Sequence, residues 1–202
     1  MVARIAAAGL VTDARVLEAL ATVPRHLFVP KALAAEAYGD HALPIGAGQT
    51  ITQAANVGRA AELAAIRPGA RVLEVGTGSG YQAAVLAELG ARVYSIEIVA
   101  PLAERARAAL DAAGYASVVT RVGDGYQGWP DAAPFDGVMV TAAPDHVPPA
   151  LVEQLKPGGR MVIPVGPSWL SQELRVIRKE PDGRTVTQRT LPVRFVPLTR
   201  SR

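Results

Sequence analysis

The chain contains no cysteine. This excludes disulfide bonds, thiolate-ligated metal and a cysteine nucleophile, and it fits a reducing cytoplasm as the expected compartment. Aromatic residues are scarce, at 5% of 202 residues, and the formal net charge is only +3. The arginines are scattered, with no basic stripe interleaved by aromatics, so a nucleic-acid partner is not expected. Long apolar runs are missing. No stretch approaches the length of a bilayer span, and no membrane partner is expected. At the start, MVARIAAAGLV is interrupted by Thr12, Asp13 and Arg15 too early for a signal peptide and reads as the beginning of a helix. The three histidines, His26, His41 and His146, fall in no evident catalytic pairing. What is present is 50% hydrophobic residues and 19% charged ones over a length that suits one domain with a full core.

Two styles of sequence follow one another. From Met1 to about Ile66 the pattern is helices and loops. Val16, Leu17 and Leu20 recur at helical spacing and stop before Pro24. Residues 31–38 read as a short helix, 40–53 as a loop rich in Gly and Pro, and 54–65 as a helix ending near Pro68 and Gly69. From Arg71 onward strand and helix alternate. RVLEV, ARVYSIEI, SVVTRVG, FDGVMVTAA and GGRMVIPVG read as strands, and 81–89, 101–113 and 148–155 as helices. QELRVIRKE and RTVTQRTLPVRFVPL suggest a closing antiparallel pair. Alternating βα units predict an α/β fold, a Rossmann-like, doubly wound and mostly parallel sheet.

The central signal is the turn Glu74-Val75-Gly76-Thr77-Gly78-Ser79-Gly80 after the first of these strands. Gly76 and Gly78 have no Cβ to block the approach of a ligand to the backbone. A tight strand-to-helix connection with no ligand accounts for this turn taken alone. Two acids at the next strand ends add weight. Glu97 closes the second strand, where a carboxylate can accept from two ribose hydroxyls. Asp124, in Gly123-Asp124-Gly125, follows the third and can accept from an adenine amino group. All three positions point into the crevice where open α/β sheets bind ligands. A carboxylate at a crevice adds little core packing, so removing Glu97 is expected to affect folding little. A dinucleotide fingerprint is G-x-G-x-x-G, whereas the spacing here is G-x-G-x-G with Glu74 before it. A carboxylate there is awkward for pyrophosphate and suits an aminoacyl zwitterion, so the spacing favours S-adenosylmethionine.

The segments VPRHLFVP, LPIGAGQTIT, VLEVGTGSGYQAAVLAELG, VGDGYQGWP, VTAAP, QLKPGGRMVIPVG and LPVRFVPL together resemble the protein-L-isoaspartate O-methyltransferases, in family order over nearly the whole chain. VPRHLFVP, GQTI and PVRFVPL are the most specific to that family. The resemblance implies a single methyltransferase domain over 1–202, with a helical and substrate-loop region over 1–66 and a cofactor-binding core with C-terminal strands over 67–202. It implies that Glu74, Gly76, Thr77 and Gly78 line the methionine end of S-adenosylmethionine. Glu97 then binds the ribose, Asp124 and Gly125 lie near the adenine, and Thr141 sits beside the pocket. Thr52, in Thr50-Ile51-Thr52, occupies the place of the family's hydroxyl residue at the reaction centre, and Thr52 is also a candidate N-cap for the helix that follows. Ile51, Thr52, Val193 and Arg194 are the implied substrate contacts, with an extended peptide along 192–196 held by main-chain hydrogen bonds. Family members follow the loop with Gln, Pro and an aromatic residue, whereas this chain has Gln53, Ala54, Ala55 and Asn56.

The implied reaction is methylation of the free α-carboxylate of L-isoaspartyl residues in damaged proteins and peptides, which starts repair through a succinimide. The protein is expected to act as a monomer, without metal. A carboxylic acid ordinarily titrates near pH ~4, so the substrate is already anionic at neutral pH and no strong general base is required. Alignment and exclusion of water are required instead. Two alternatives remain: a carboxyl methyltransferase with one dedicated peptide or protein partner, motivated by Ala54-Ala55-Asn56, and an inactive cofactor-binding interaction protein.

Overall fold

Short apolar patterns build the N-terminal part. The computed structural model describes residues 1–167 and 171–200. Helix α1, Val2–Ala7, is followed by α2, Ala14–Thr22, which buries Val16, Ala19 and Leu20. The Asp13 carboxylate caps α2 by accepting from the Arg15 N–H at 2.8 Å. Two 3-10 turns come next, Arg25–Phe28 and Lys31–Glu36. The second replaces the α-helix expected over 31–38. The stretch expected as a loop over 40–53 contains a hairpin, strands β1, Leu43–Gly46, and β2, Gln49–Ile51. Its alternation is real, since Leu43, Ile45 and Ile51 are buried while Pro44 and Thr50 are exposed. The strands are simply too short for a period of two to stand out. The turn between them holds Gly46, Ala47 and Gly48 at φ of 88°, 53° and 70°. Helix α3, Ala54–Ala64, then packs its alanines into the core and ends at Ala65 in the left-handed conformation.

The second part is a seven-stranded sheet. Strands β3 (Arg71–Val75), β4 (Arg92–Glu97), β5 (Val119–Val122), β6 (Phe135–Val140) and β7 (Leu155–Val165) pair in parallel, and β8 (Gln172–Lys179) and β9 (Thr185–Val193) close the edge antiparallel. The order is β5-β4-β3-β6-β7-β8-β9. Helices α4 (Tyr81–Glu88), α5 (Ala100–Ala112) and α6 (Pro149–Glu153) are the crossovers. Strand β7 starts three residues before the expected GGR segment, because Leu155 already pairs with Phe135, and α6 ends correspondingly early. Alternate strand residues supply two cores. Val72, Val93, Met139 and Val162 pack with α2 to α5, and Leu73, Val138, Met161 and Ile163 pack with α6. Strand order reverses at β3, with β4 on one side and β6 on the other. This switch point opens a crevice at the strand C-termini.

The C-terminal segment leaves the sheet after Val193. It crosses to the end of β6, where Ala143 N–H donates to Val196 O at 2.8 Å and Leu198 N–H to Ala143 O at 2.9 Å. The buried Gln172 side chain clamps Phe195 by donating to its carbonyl at 3.0 Å and accepting from its N–H at 2.6 Å. Among the described residues no helix is long and apolar enough to cross a membrane.

Candidate active site

The Gly-rich turn forms the floor of the crevice. Gly76 has φ +94°, and a Cβ there would lie 2.3 Å from Thr141 Oγ1. That hydroxyl donates to the Gly76 carbonyl at 2.6 Å, which ties the turn to the end of β6. The crevice is lined by Ile51, Thr52, Glu74, Gly76, Thr77, Gly78, Glu97, Gly125 and Thr141, with Tyr81 opening α4 and Val196 to Thr199 on the far wall. Asp124 is not in that wall. Its Oδ1 accepts from the Tyr126 N–H at 2.9 Å and caps the 3-10 turn Gly125–Gln127, which leaves Gly125 facing the crevice.

The two acids in the wall are held differently. Glu97 is only 6% exposed. Its Oε2 accepts from Gly78 N–H at 2.8 Å and its Oε1 from Val99 N–H at 3.0 Å. It therefore fixes the Gly-rich turn and the entry to α5, so the expectation that it matters little to folding is corrected. Glu74 is fully buried, and Ser95 Oγ donates to its Oε2 at 2.5 Å while Thr77 Oγ1 lies 2.6 Å from Ser95 Oγ. Its Oε1 has no hydrogen-bond partner among the described residues. Burial, opposed by the Ser95 bond and reinforced by the charge of Glu97, pushes the Glu74 carboxyl up to about 8. Between the ordinary carboxylate pKa of 4.5 and about 8, the folded protein holds a proton that the unfolded chain has lost. Stability therefore falls as pH rises through that window. Glu74→Gln, which stays neutral throughout, is expected to raise the unfolding temperature of the unliganded protein at pH 9 relative to the parent and to change it much less at pH 5. Thermal unfolding at the two pH values checks this, and an equal shift at both counts against it.

Thr52 stands where two cavities meet. A groove beside the crevice is lined by Ala42, Gln53, Asn56 and residues 191–196, and Thr50, Thr52, Thr141 and Val196 line both spaces. Val193 and Arg194 are in the groove wall. Ile51 points the other way, as the strand period requires. It is buried in the core and reaches the crevice but not the groove. The main-chain groups of Phe195 are taken by Gln172, so that residue's backbone does not serve an incoming peptide. The Thr52 hydroxyl caps nothing. The N-cap position of α3 is Gln53, without a side-chain cap bond, and the Ala55 N–H is bound instead by Asp40 Oδ1 at 3.0 Å, with Gln53 Nε2 on Asp40 Oδ2. Asp40→Ala is accordingly expected to cost about 1 kcal/mol of stability, the scale of a lost cap, as read by denaturant unfolding. None of the three histidines lines the crevice or the groove. Among the described residues no cluster of His, Cys, Asp and Glu is placed to hold a metal ion.

A family model for protein-L-isoaspartate(D-aspartate) O-methyltransferase matches residues 1–202. The chain belongs to this family. The protein-L-isoaspartate O-methyltransferase 1 of Nitrosospira multiformis is 55% identical over 185 residues, 92% of this chain and 78% of that protein. The protein-L-isoaspartate O-methyltransferase of Gloeobacter violaceus is 56% identical over 187 residues, 93% of this chain and 91% of that protein. A solved structure described as protein-L-isoaspartate O-methyltransferase is 28% identical with a TM-score of 0.87, over 97% of this chain and 64% of that one. A Plasmodium falciparum structure in complex with S-adenosyl-L-homocysteine has a TM-score of 0.88 at 22% identity, over 99% of this chain and 97% of that one, and shares the fold. In this member of the isoaspartate methyltransferase family, Arg25, Asp40, Tyr81, Ser95 and Gln172 shape the site without having stood out in the sequence. Each acts on a residue more than ten positions away. Arg25 lies in the family-specific VPRHLFVP segment and Tyr81 next to the Gly-rich turn, but the contacts of neither are marked locally.

Proposed function

We propose that this protein transfers the methyl group of S-adenosylmethionine to the free α-carboxylate of L-isoaspartyl residues in proteins and peptides. When bound, S-adenosylmethionine supplies an electrophilic methyl group on a sulfonium, and transfer to a carboxylate oxygen is an in-line displacement. The residues fit that donor. The unpartnered Oε1 of the buried Glu74 is an acceptor suited to the ammonium of the methionine end. Gly76, Thr77 and Gly78 let the ligand approach the backbone. Glu97 keeps lone pairs for the ribose hydroxyls, and Gly125, with Asp124 beside it, lies toward the adenine end.

One observation carries the reading. The crevice and the groove meet at Thr52, so a peptide carboxylate in the groove can reach the methyl end of a ligand in the crevice. Thr52 donates to one carboxylate oxygen and orients the other for attack. The nearby guanidinium, that of Arg25, is buried on the Thr52 carbonyl and lines neither the crevice nor the groove, and Arg194 is an exposed wall residue, so neither is placed to hold the anion as a buried ion pair. The substrate is already ionised near neutral pH, so no base needs to be placed. Val193 and Arg194 flank the peptide. Methylation replaces a poor leaving group, the carboxylate oxygen, with methoxide. The adjacent backbone nitrogen then attacks the ester carbonyl, methanol is lost as the succinimide closes, and hydrolysis of that ring returns some normal aspartate. The test is a methyl-transfer assay on an isoaspartyl peptide and its aspartyl twin. Methylation of the first alone is expected. Equal methylation of the two, or none of either while the cofactor binds, overturns the reading.

A further inference from the structure

VPRHLFVP has no part in the chemistry described above, although it is among the segments most specific to the family. Its cation is hidden. Arg25 is fully buried, and no other arginine among the described residues is. Among the described residues it has no carboxylate within ion-pair distance, and Asp40 acts on it only through its charge. Its Nε donates to Ala37 O at 2.9 Å, and its Nη2 donates to Thr52 O at 2.9 Å and to His41 O at 3.4 Å. The guanidinium carbon lies 4.6 Å from the centroid of the Tyr81 ring, and Tyr81 lines the cofactor crevice. Nη1 of Arg25 and the Tyr81 hydroxyl are both buried and interact with each other, and neither has another hydrogen-bond partner among the described residues.

A buried charge held by carbonyls is a poor device for stability alone, because an apolar side chain of similar volume avoids the desolvation. A planar guanidinium does something an apolar side chain does not. Its rigid fork fixes several acceptors at once, and its face stacks on an aromatic ring. Here the acceptors belong to separate turns of the 37–52 segment, and one is the carbonyl of Thr52 itself. The ring belongs to the wall of the cofactor crevice. The same side chain therefore locates the Thr52 peptide with respect to the crevice, rather than only within its own loop.

We propose that Arg25 is a positioning residue for methyl transfer, setting the place of the Thr52 hydroxyl relative to the cofactor crevice through its bond to the Thr52 carbonyl and its stack on Tyr81. The proposal rests on the reading of Thr52 as the residue that orients the substrate carboxylate. A lysine at position 25 keeps the charge but has no fork with which to hold separate carbonyls. A displacement of about 1 Å at a reacting group costs on the order of 100-fold in rate. Arg25→Lys is therefore expected to lower kcat on an isoaspartyl peptide by roughly ten- to 100-fold, while calorimetric affinity for S-adenosylmethionine stays within about twofold, the scatter of independent sites.

The deciding readout is a double-mutant cycle with Thr52→Val, with every rate taken per folded molecule at saturating cofactor. If Arg25 acts through the Thr52 hydroxyl, removing that hydroxyl from the Arg25→Lys protein costs little more, less than about twofold, because the two residues form one unit. If Arg25 acts on the rate by a route other than the Thr52 hydroxyl, the two losses multiply, and that overturns the proposal. An unchanged kcat in Arg25→Lys also overturns it. Failure of Thr52 is read separately, from Thr52→Val in the parent. No loss there removes the Thr52 assignment whatever Arg25→Lys does, and the proposal falls with it. Should Arg25→Lys not fold, Arg25→Gln, which buries no charge, goes through the same cycle. Loss of folding in both variants would assign Arg25 to stability and overturn the proposal.

Discussion

Thr52→Val is expected to slow methylation of an isoaspartyl peptide at least tenfold at saturating cofactor, about 1.4 kcal/mol of transition-state stabilisation. Valine keeps the β-branched shape and removes only the hydroxyl. The backbone carbonyl that accepts from Arg25 is untouched, so the loop stays anchored. Sequence alone leaves open a loss of stability instead, through a missing helix cap. In the structure Asp40 binds the Ala55 N–H, and the Thr52 hydroxyl makes no hydrogen bond to a described residue. The stability of Thr52→Val should therefore stay within about 0.5 kcal/mol of the parent, as for substitutions away from packed or capped features. Cofactor affinity should hardly change. Thr52→Ser restores the hydroxyl and should restore the rate. Equal rates for the Val and Ser variants on the same peptide would remove Thr52 from the reaction centre.

Glu97→Ala should weaken S-adenosylmethionine binding by roughly 1.5–3 kcal/mol, the scale of hydrogen bonds to a charged group. That is a loss in affinity of about ten- to 150-fold. The same substitution has a second cost. Gly78 and Val99 N–H both donate to this carboxylate, and removing it leaves two part-buried donors without their partner. With water reaching them in part, the unliganded protein should lose about 1–2 kcal/mol of stability. Calorimetric titration and thermal unfolding of the same preparation separate the two effects. A folded variant that binds as tightly as the parent would refute the ribose role, and the role in fixing the Gly-rich turn and the entry to α5 would survive it.

The contrast between Thr52 and Glu97 shows what kind of information each level carries. The Gly-rich turn and the acid at the end of β4 are legible in the sequence because a parallel strand is a continuous apolar run and its end is marked locally. The crossovers then bring successive strand ends to one crevice without further instruction. The place of Asp124 after β5 is legible in the same way, but that its Oδ1 accepts from the Tyr126 N–H and caps the next turn is seen only in the structure.

Around Thr52 the sequence is informative only through family resemblance. A hairpin of four and three residues has too little alternation to be read as strands. Asp40 caps a helix from 15 residues before the donor, outside any local capping pattern. Arg25 looks like a surface arginine until three carbonyls and a tyrosine ring enclose it. By itself, then, the sequence determined the βα order, the crevice and the acids that line it, since these follow from periodicity and from the end points of strands. Only the tertiary structure decided which side chains hold the substrate loop, and that the groove by Val193 and Arg194 meets the crevice at Thr52. Those contacts join segments far apart in the chain, and a buried polar group finds its partners only when packing has excluded water from all of them at once.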